Sequence, residues 1–378
     1  MTEEREGVWN LKRGVKELQA GSSVVGELPI GCQLCGEGKK MVLFVTGICE
    51  SSCFYCPLSV EKAGKDVVFA DEMPVEDFRD ILTEAKAIGA EGAGLSGGDP
   101  LCRLHRTLEY IRRLKEHYGE SFHLHLYTSL TQVDRDTLIL LRDTGLDEIR
   151  FHAQGGNWTG IEDSVEIGLT TGIELPVIPA HEKQLREVAI KAEDIGVQFL
   201  NLNELEASES NFSRLASLGM RLTSLEKSSI AGSQDLAYQI LDWVSKDLVD
   251  LSVHYCSASF KDSVQMRNRL GRRVARTKRE LEVVADDEPL LILGLLLPQA
   301  KGMKQEDLER TAIMLAECYE IPDSLLNVDK KRMRIEVAPW ILEEIAGDVK
   351  HQLSGSWQLG IATEYPSWDR LQVEFDPL

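Results

Sequence analysis

Three cysteines stand close together in Cys49-Glu-Ser-Ser-Cys53-Phe-Tyr-Cys56, a C-x3-C-x2-C spacing. Thiolates at these intervals can ligate three irons of a cubane [4Fe-4S] cluster and leave the fourth iron open to another ligand. A zinc knuckle is the competing chemistry, but zinc sites ordinarily want four ligands in two pairs, and this run offers three in a row. An incidental thiol cluster is the remaining alternative. Eight cysteines are present, at 32, 35, 49, 53, 56, 102, 256 and 318. The charged start, Met1-Thr-Glu-Glu-Arg-Glu, has no apolar h-region. It reads as lacking a secretory signal, so disulfides are not expected and the clustering reads as metal binding.

A second set of thiols is more dispersed. Cys32-Gln-Leu-Cys35 is a C-x2-C pair, which suits half a zinc site, part of an iron–sulfur site or a redox pair. Cys256 ends a candidate strand in His254-Tyr-Cys-Ser. Cys32, Cys35 and Cys256 are expected to form an auxiliary centre, iron–sulfur or zinc, with His254, Cys102, Cys318 or a substrate atom as the fourth ligand. Buried free thiols are the alternative. Cys35 precedes a strand and Cys256 ends one, so they start from opposite ends of a sheet. The stretch from Cys35 to Met41, about 20 Å when extended, is long enough to loop back. A further motif, Leu95-Ser96-Gly97-Gly98-Asp99-Pro100, follows a short apolar run. Its glycines permit close backbone approach, and an ordinary glycine-rich turn into a helix is the alternative.

These groups need a frame. From Met41 onward, short apolar runs alternate with amphipathic segments. Strands are predicted at Met41–Thr46, Gly92–Leu95, His123–Thr128, Glu148–His152, Leu175–Pro179 and Val197–Leu202. Helices are predicted at Val75–Ile88, His105–His117, Asp134–Asp143, Glu162–Thr170 and Glu182–Ile195. Strand then helix, six times over, implies a parallel sheet with crossover helices, open or closed into a barrel. A helix at Ser233–Lys246 and a strand at Val249–Tyr255 follow, and then a basic helix, Lys261–Arg279. The expected organisation is an N-terminal arm with the C-x2-C pair (1–40), helical over residues 1–30, the strand–helix region (41–260), a basic helix and linker (261–288) and a small α+β domain (289–378).

The motifs carry a resemblance. C-x3-C-x-aromatic-C after a first strand, with Gly97-Gly98-Asp99 after the second, resembles the radical S-adenosylmethionine (SAM) superfamily. The resemblance implies a partial (β/α)6 TIM-type barrel. It also implies a cluster on Cys49, Cys53 and Cys56 whose open iron chelates SAM, and reductive cleavage of SAM to methionine and a 5'-deoxyadenosyl radical that takes hydrogen from a substrate. Ser96, Gly97, Gly98 and Asp99 would then meet the methionyl end of SAM, with Asp99 standing where Glu is usual. A side chain at Gly98 should close that approach. Tyr55, the polar pair Thr128-Ser129 and His152 would lie near the rest of the cofactor, and Gln154, Asn203, Glu204 and Glu206 at neighbouring strand ends. The whole chain is similar to archaeal radical SAM proteins related to pyruvate formate-lyase activating enzymes. The Met41–Val60 block, Cys32-x2-Cys35 and the His254-Tyr-Cys segment carry that similarity. It implies the fold, SAM and the cluster but not the reaction; a protein or peptide substrate and an electron donor such as ferredoxin or flavodoxin are expected.

Composition narrows the partners. The chain has 378 residues, 43% of them hydrophobic, and a net charge of -20, which disfavours a nucleic-acid track. Arg267, Arg269, Arg272, Arg273, Arg276, Lys278 and Arg279 run against that acidity, either as a solvated face or as a dock for an acidic or phosphate-bearing substrate, so RNA modification stays open. No run approaches a bilayer span, and a cytoplasmic location is expected. Only 48 residues precede Cys49 and the pattern D-x-H-x-x-G is absent, which argues against a cobalamin-dependent methylase. A non-enzymatic iron–sulfur or zinc protein would leave the Ser-Gly-Gly-Asp motif unexplained.

Overall fold

The structure is a computed structural model that describes residues 13–153, 156–300, 302–353 and 356–378. They fall into two compact units. One contains the described residues up to Lys86 together with Ala90–Met266, the other Ala87–Gly89 with Arg267–Leu378.

The first unit is built on one eleven-stranded sheet. Its heart is seven parallel strands in sequence order: β3 (Lys40–Thr46), β6 (Gly92–Gly97), β7 (His123–Thr128), β8 (Glu148–Phe151), β9 (Thr170–Val177), β10 (Phe199–Glu204) and β11 (Ser252–Cys256). The order never reverses, as a barrel requires and a doubly wound sheet forbids. The strand expected at Val249–Tyr255 forms as β11 and joins the six strands of the strand–helix units as a seventh. Short antiparallel strands flank this core, β4 (Phe69–Ala70) and β5 (Met73–Pro74) beside β3, β1 (Val15–Glu17) and β2 (Ser23–Val25) beside β11.

Helices α2 (Phe78–Ile88), α3 (Leu104–Tyr118), α4 (Arg135–Thr144), α5 (Thr159–Glu166), α6 (Glu182–Ile195), α7 (Phe212–Ser217) and α8 (Ser233–Asp247) make the crossovers. Local chemistry sets their limits. Asp134 caps α4 by accepting from the Thr137 amide, and left-handed Gly145 and Gly196 end α4 and α6. In α3, Thr107, Ile111 and Leu114 recur at the interval that buries one face.

Three expectations are corrected. The arm is not helical over its described part. Val24 and Val25 form a strand against β11, because a β-branched pair beside an open sheet edge gains more by pairing than by coiling; residues 1–12 lie outside the described residues. A helix does form at α1 (Ile30–Gly36), and it carries Cys32 and Cys35. Strand β9 begins at Thr170, where a helix end was expected. The basic segment is broken into α9 (Ala258–Phe260), a π-helical turn (Lys261–Met266) and α10 (Arg267–Thr277).

The second unit packs α11 (Gln305–Tyr319) and α12 (Pro339–Gln352) with one face of a six-stranded antiparallel sheet. Its strands are β12 (Val283–Val284), β13 (Leu291–Pro298), β14 (Leu326–Asp329), β15 (Arg334–Val337), β16 (Trp357–Glu364) and β17 (Gln372–Pro377). Several arginines of the basic run are engaged inside this unit. Arg267 donates to Asp287 O, Arg272 to the carbonyls of Ile88 and Gly89, Arg273 to Pro366 O, and Arg279 to Glu282 and Glu336. Among the described residues no helix is long and apolar enough to cross a membrane.

Candidate active site

The three cysteines of the C-x3-C-x2-C run lie in the loop that leaves the carboxyl end of β3, at the rim where barrels gather functional groups. All three are partly buried. The Ser51 amide lies 3.4 Å from Cys49 Sγ, and the Cys56 amide donates to Cys53 O at 3.1 Å. Phe54 and Tyr55 tie the loop down. Both pack on Ile178, Leu205, Leu215 and Ile230, and Asn211 Nδ2 donates to Tyr55 O at 2.9 Å.

Tyr55 makes the most directed contact. Its hydroxyl lies 2.7 Å from His152 Nε2, and His152 Nδ1 lies 2.9 Å from Glu174 O. A carbonyl can only accept, so Nδ1 carries the proton and Nε2 accepts from Tyr55. Burial keeps His152 below its ordinary value, in keeping with a neutral ring. The histidine at the end of β8 thus orients the cysteine loop.

The glycines hold the cysteine loop. Gly98 N donates to Thr46 O at 2.7 Å and Asp99 N to Ile48 O at 2.8 Å. A Cβ on Gly97 would collide with Thr46 O, and one on Gly98 with Ile48 O. Gly97 also sits at φ +152°. At both positions the backbone comes close to the cysteine loop, and a side chain at Gly98 would displace Ile48, next to Cys49. Ser96 is partly buried at the end of β6.

Asp99 is fully buried and accepts from Leu101 N, Thr128 Oγ1, Ser129 N and Ser129 Oγ at 2.7–3.1 Å. Burial outweighs these bonds and leaves its carboxyl above the ordinary value. Its oxygens are committed to joining the ends of β6 and β7. Ser129 in turn holds Ser51 Oγ at 2.9 Å and lies 3.8 Å from Cys49 Sγ. Nothing in the sequence pairs Asp99 with Thr128-Ser129; only neighbouring parallel strands do. Of the other strand-end residues, Asn203 donates to Glu174 Oε1, Glu204 accepts from Ala258 N, Glu206 pairs with Lys261, and Gln154 lies outside the described residues.

Below the rim, α1 lies against the barrel interior. Cys32 Sγ is 3.3 Å from Asn201 Nδ2 on β10, and a Cβ on Gly31 would stand 2.7 Å from both Arg150 Nη2 and His125 Nδ1. Buried Lys40, His125, Arg150 and His254 and half-buried Tyr127 surround it. Burial pushes the Cys32 thiol up, but Arg150, His254 and Lys40 outweigh it and bring it down to about 7. Burial pushes Cys256 up to about 12. Cys102 lies in the turn after Asp99, and Cys318 is exposed on α11 in the second unit.

The donor set at the rim fits a cubane cluster with one open iron. It supplies three thiols on one loop and a glycine cradle that any side chain would fill. Among the described residues no three His, Cys, Asp or Glu side chains are already gathered as a metal site.

Comparison with known proteins agrees with this reading of the rim. Residues 43–170 match the model of the radical SAM superfamily, and residues 290–378 match a domain of unknown function, DUF8061. A protein of Methanocaldococcus jannaschii, provisionally named a glycyl-radical enzyme activating enzyme, is 34% identical over 93% of both chains. A PqqA peptide cyclase of Rhodopseudomonas palustris is 29% identical over 32% of this chain and 29% of its own. The crystal structure of Streptococcus suis SuiB bound to S-adenosylmethionine aligns over 60% of this chain and 53% of its own, with 12% identity and a TM-score of 0.42.

Proposed function

This chain belongs to the radical SAM superfamily, and from that premise we propose that it is an enzyme in which Cys49, Cys53 and Cys56 hold a [4Fe-4S] cluster that cleaves SAM reductively and so removes hydrogen from a protein or peptide. Three thiols on the loop after β3, braced by Gly97 and Gly98, are the observation that carries the reading. The bound cluster and SAM would supply one-electron chemistry and a 5'-deoxyadenosyl radical. The chain's own residues do the rest. His152 holds Tyr55 and through it the cysteine loop, and Asp99 holds Ser129 against Ser51 and Cys49. Glu174 on β9 and Asn203 on β10 hold one another across neighbouring strands.

A protein substrate follows from the relative that spans nearly the whole chain, whose name describes an activator of a glycyl-radical enzyme. On that reading the hydrogen comes from a glycine of a partner protein, and the electron from a low-potential donor such as ferredoxin or flavodoxin. An auxiliary iron–sulfur cluster or zinc on Cys32, Cys35 and Cys256 belongs to the same proposal.

The test is anaerobic reconstitution with iron, sulfide, SAM and reductant. The parent chain should show cluster absorbance and release 5'-deoxyadenosine and methionine. Replacing Cys49, Cys53 and Cys56 by Ala should abolish both. Cleavage that survives in the triple variant would end the reading.

A further inference from the structure

The loop that carries Cys49, Cys53 and Cys56 leaves β3 at Thr46 and returns at Asp66, and Asp66 closes it. Its Oδ1 accepts from Thr46 Oγ1 at 2.9 Å. Two arginines from the segment after β6 hold the same carboxylate, Arg103 through Nε at 2.9 Å and Arg106 through Nη1 at 2.6 Å and Nη2 at 3.3 Å. Arg106 Nη1 also donates to Val45 O at 3.0 Å, which ties α3 to β3 at the same point. Backbone bonds shut the base beside it, from Gly47 N to Lys65 O and from Gly64 N to Gly47 O, both at 2.8 Å. None of these residues belongs to the C-x3-C-x2-C run or to the glycine motif.

The direction of these bonds leads to the cysteines. Arg106 and Arg103 hold the Asp66 carboxyl well below the usual carboxylate range, so it is ionised and can only accept. Buried Thr46 therefore gives its one hydroxyl proton to Asp66. Its oxygen keeps lone pairs, and the Ile48 amide donates to it at 3.2 Å. Ile48 O accepts in turn from Asp99 N at 2.8 Å. The residue before Cys49 is thus held from both sides, at its carbonyl by Asp99 and at its amide by Thr46. We propose that Asp66 is a positioning residue of the iron-binding loop: it sets the Thr46 hydroxyl, which fixes Ile48 and with it Cys49. This rests on the reading of that loop as the cluster site. Plain stabilisation is the lesser role, because the side chains of Asp66, Arg103 and Arg106 are between 30% and 37% exposed, and ion pairs that open to water add little to stability.

Two variants of the full chain cut the path at its two ends. Thr46→Val keeps the branched shape and loses the hydroxyl, and Asp66→Ala loses the carboxylate. In the metal-free chain, hydrogen exchange at the Ile48 amide should quicken about tenfold or more in each, relative to the core amides of β7. After anaerobic reconstitution, the EPR signal of the reduced cluster should change shape, and SAM cleavage should slow ~10–100-fold, as a small misplacement of a reacting centre does. The double variant should be no slower than the worse single one, because both residues lie on one path. Thr46→Ser keeps the hydroxyl and should match the parent in exchange, EPR signal and rate. Unchanged Ile48 exchange in both variants, or an unchanged EPR signal in both, overturns the proposal, since a merely structural pair would lower only the denaturation midpoint. So does a Thr46→Ser chain that behaves like Thr46→Val. Thr46→Val is the milder change and decides the matter where Asp66→Ala folds poorly. A parent chain that takes up no cluster overturns the radical SAM reading, and the Ile48 exchange, which needs no metal, still decides whether Asp66 fixes the loop.

Discussion

Two arginines are buried in the two units with opposite results. In the second unit, Arg334 on β15 is 5% exposed, and all three of its nitrogens are used: Nε and Nη2 reach Glu336, Nη1 and Nη2 reach Glu364. Arg279, Glu282, Arg370 and Asn327 extend the network, and Arg279 reaches the same Glu336. In the barrel, Arg150 on β8 is 2% exposed and equally charged. Its Nε meets Glu148 at 2.5 Å and its Nη1 meets Glu174 at 3.0 Å, but Nη2 has no partner. His125 Nδ1 and His254 Nε2 are unpartnered in the same floor. Burying a charge is tolerable when every donor is met, so the C-terminal network reads as a finished lock. The barrel floor reads as a network left open, and open buried donors concentrate where something binds.

The sharpest way to break the comparison lies in the lock. Glu364→Ala would strand Arg334 as a buried charge with half its partners gone. The expected cost is ~3–5 kcal/mol, read by chemical denaturation of the purified chain. A loss under ~1 kcal/mol would mean that water reaches Arg334 and that the lock is not closed.

Asp99 extends the contrast to the rim, where a closed network holds a reactive loop. An amide at Asp99→Asn would turn an NH2 toward donors that now point at carboxylate oxygen. The expected loss is ~1–3 kcal/mol. The cluster of the reconstituted variant should also bleach faster in air, since Ser129 would no longer hold Ser51. Unchanged stability and bleaching would return Asp99 to an ordinary helix cap.

These networks also mark how far the sequence could be read. Cys49, Cys53 and Cys56 occupy eight consecutive residues, so their chemistry is written in one line of text, and so is Gly97-Gly98. Strand–helix alternation exposed the barrel because each parallel strand is a short apolar run. The floor is different. Cys32 and His254 are 222 residues apart, and only the pairing of β2 with β11 and the entry of α1 bring them together. The arm misled because Val24 and Val25 take their strand from a partner more than two hundred residues away. The basic run misled in the same way. Its arginines look free in sequence, yet Arg272 and Arg273 spend their donors on backbone carbonyls.

A smaller effect separates the units by pH. Burial holds His125 well below its ordinary value, and Arg150 and Lys40 push the same way; burial lowers His123 as well. The His125 ring stays neutral in the folded chain while it titrates near 6.5 in the unfolded one, and His123 shifts in the same direction. This share of the stability is fully present above about pH 6.5 and lost as pH falls below it, because only the unfolded chain takes up the His125 proton. The slope is up to ~1.4 kcal/mol per pH unit for that ring. Denaturation at pH 7.5, 6.5 and 5.5 should show it, and His125→Gln should make it shallower. A slope that His125→Gln leaves untouched would place the acid sensitivity outside the floor.

The smallest effect is the most discriminating. Lys40 is as buried as the arginines, yet its neighbours are a histidine nitrogen at 3.4 Å and a tyrosine hydroxyl at 3.3 Å. The thiols of Cys35 and Cys32 and the Tyr127 phenol hold its ammonium above the ordinary value although burial opposes them. No carboxylate pairs with that charge among the described residues. Lys40→Met is one atom shorter, relieves the cost of burying an ammonium and gives up two weak polar contacts. These changes should nearly cancel, within ~1 kcal/mol of the parent. Equilibrium denaturation of the purified chain measures the difference. If Lys40→Met destabilises the chain as severely as Glu364→Ala, the floor is as closed as the C-terminal sheet and the two units do not differ in kind.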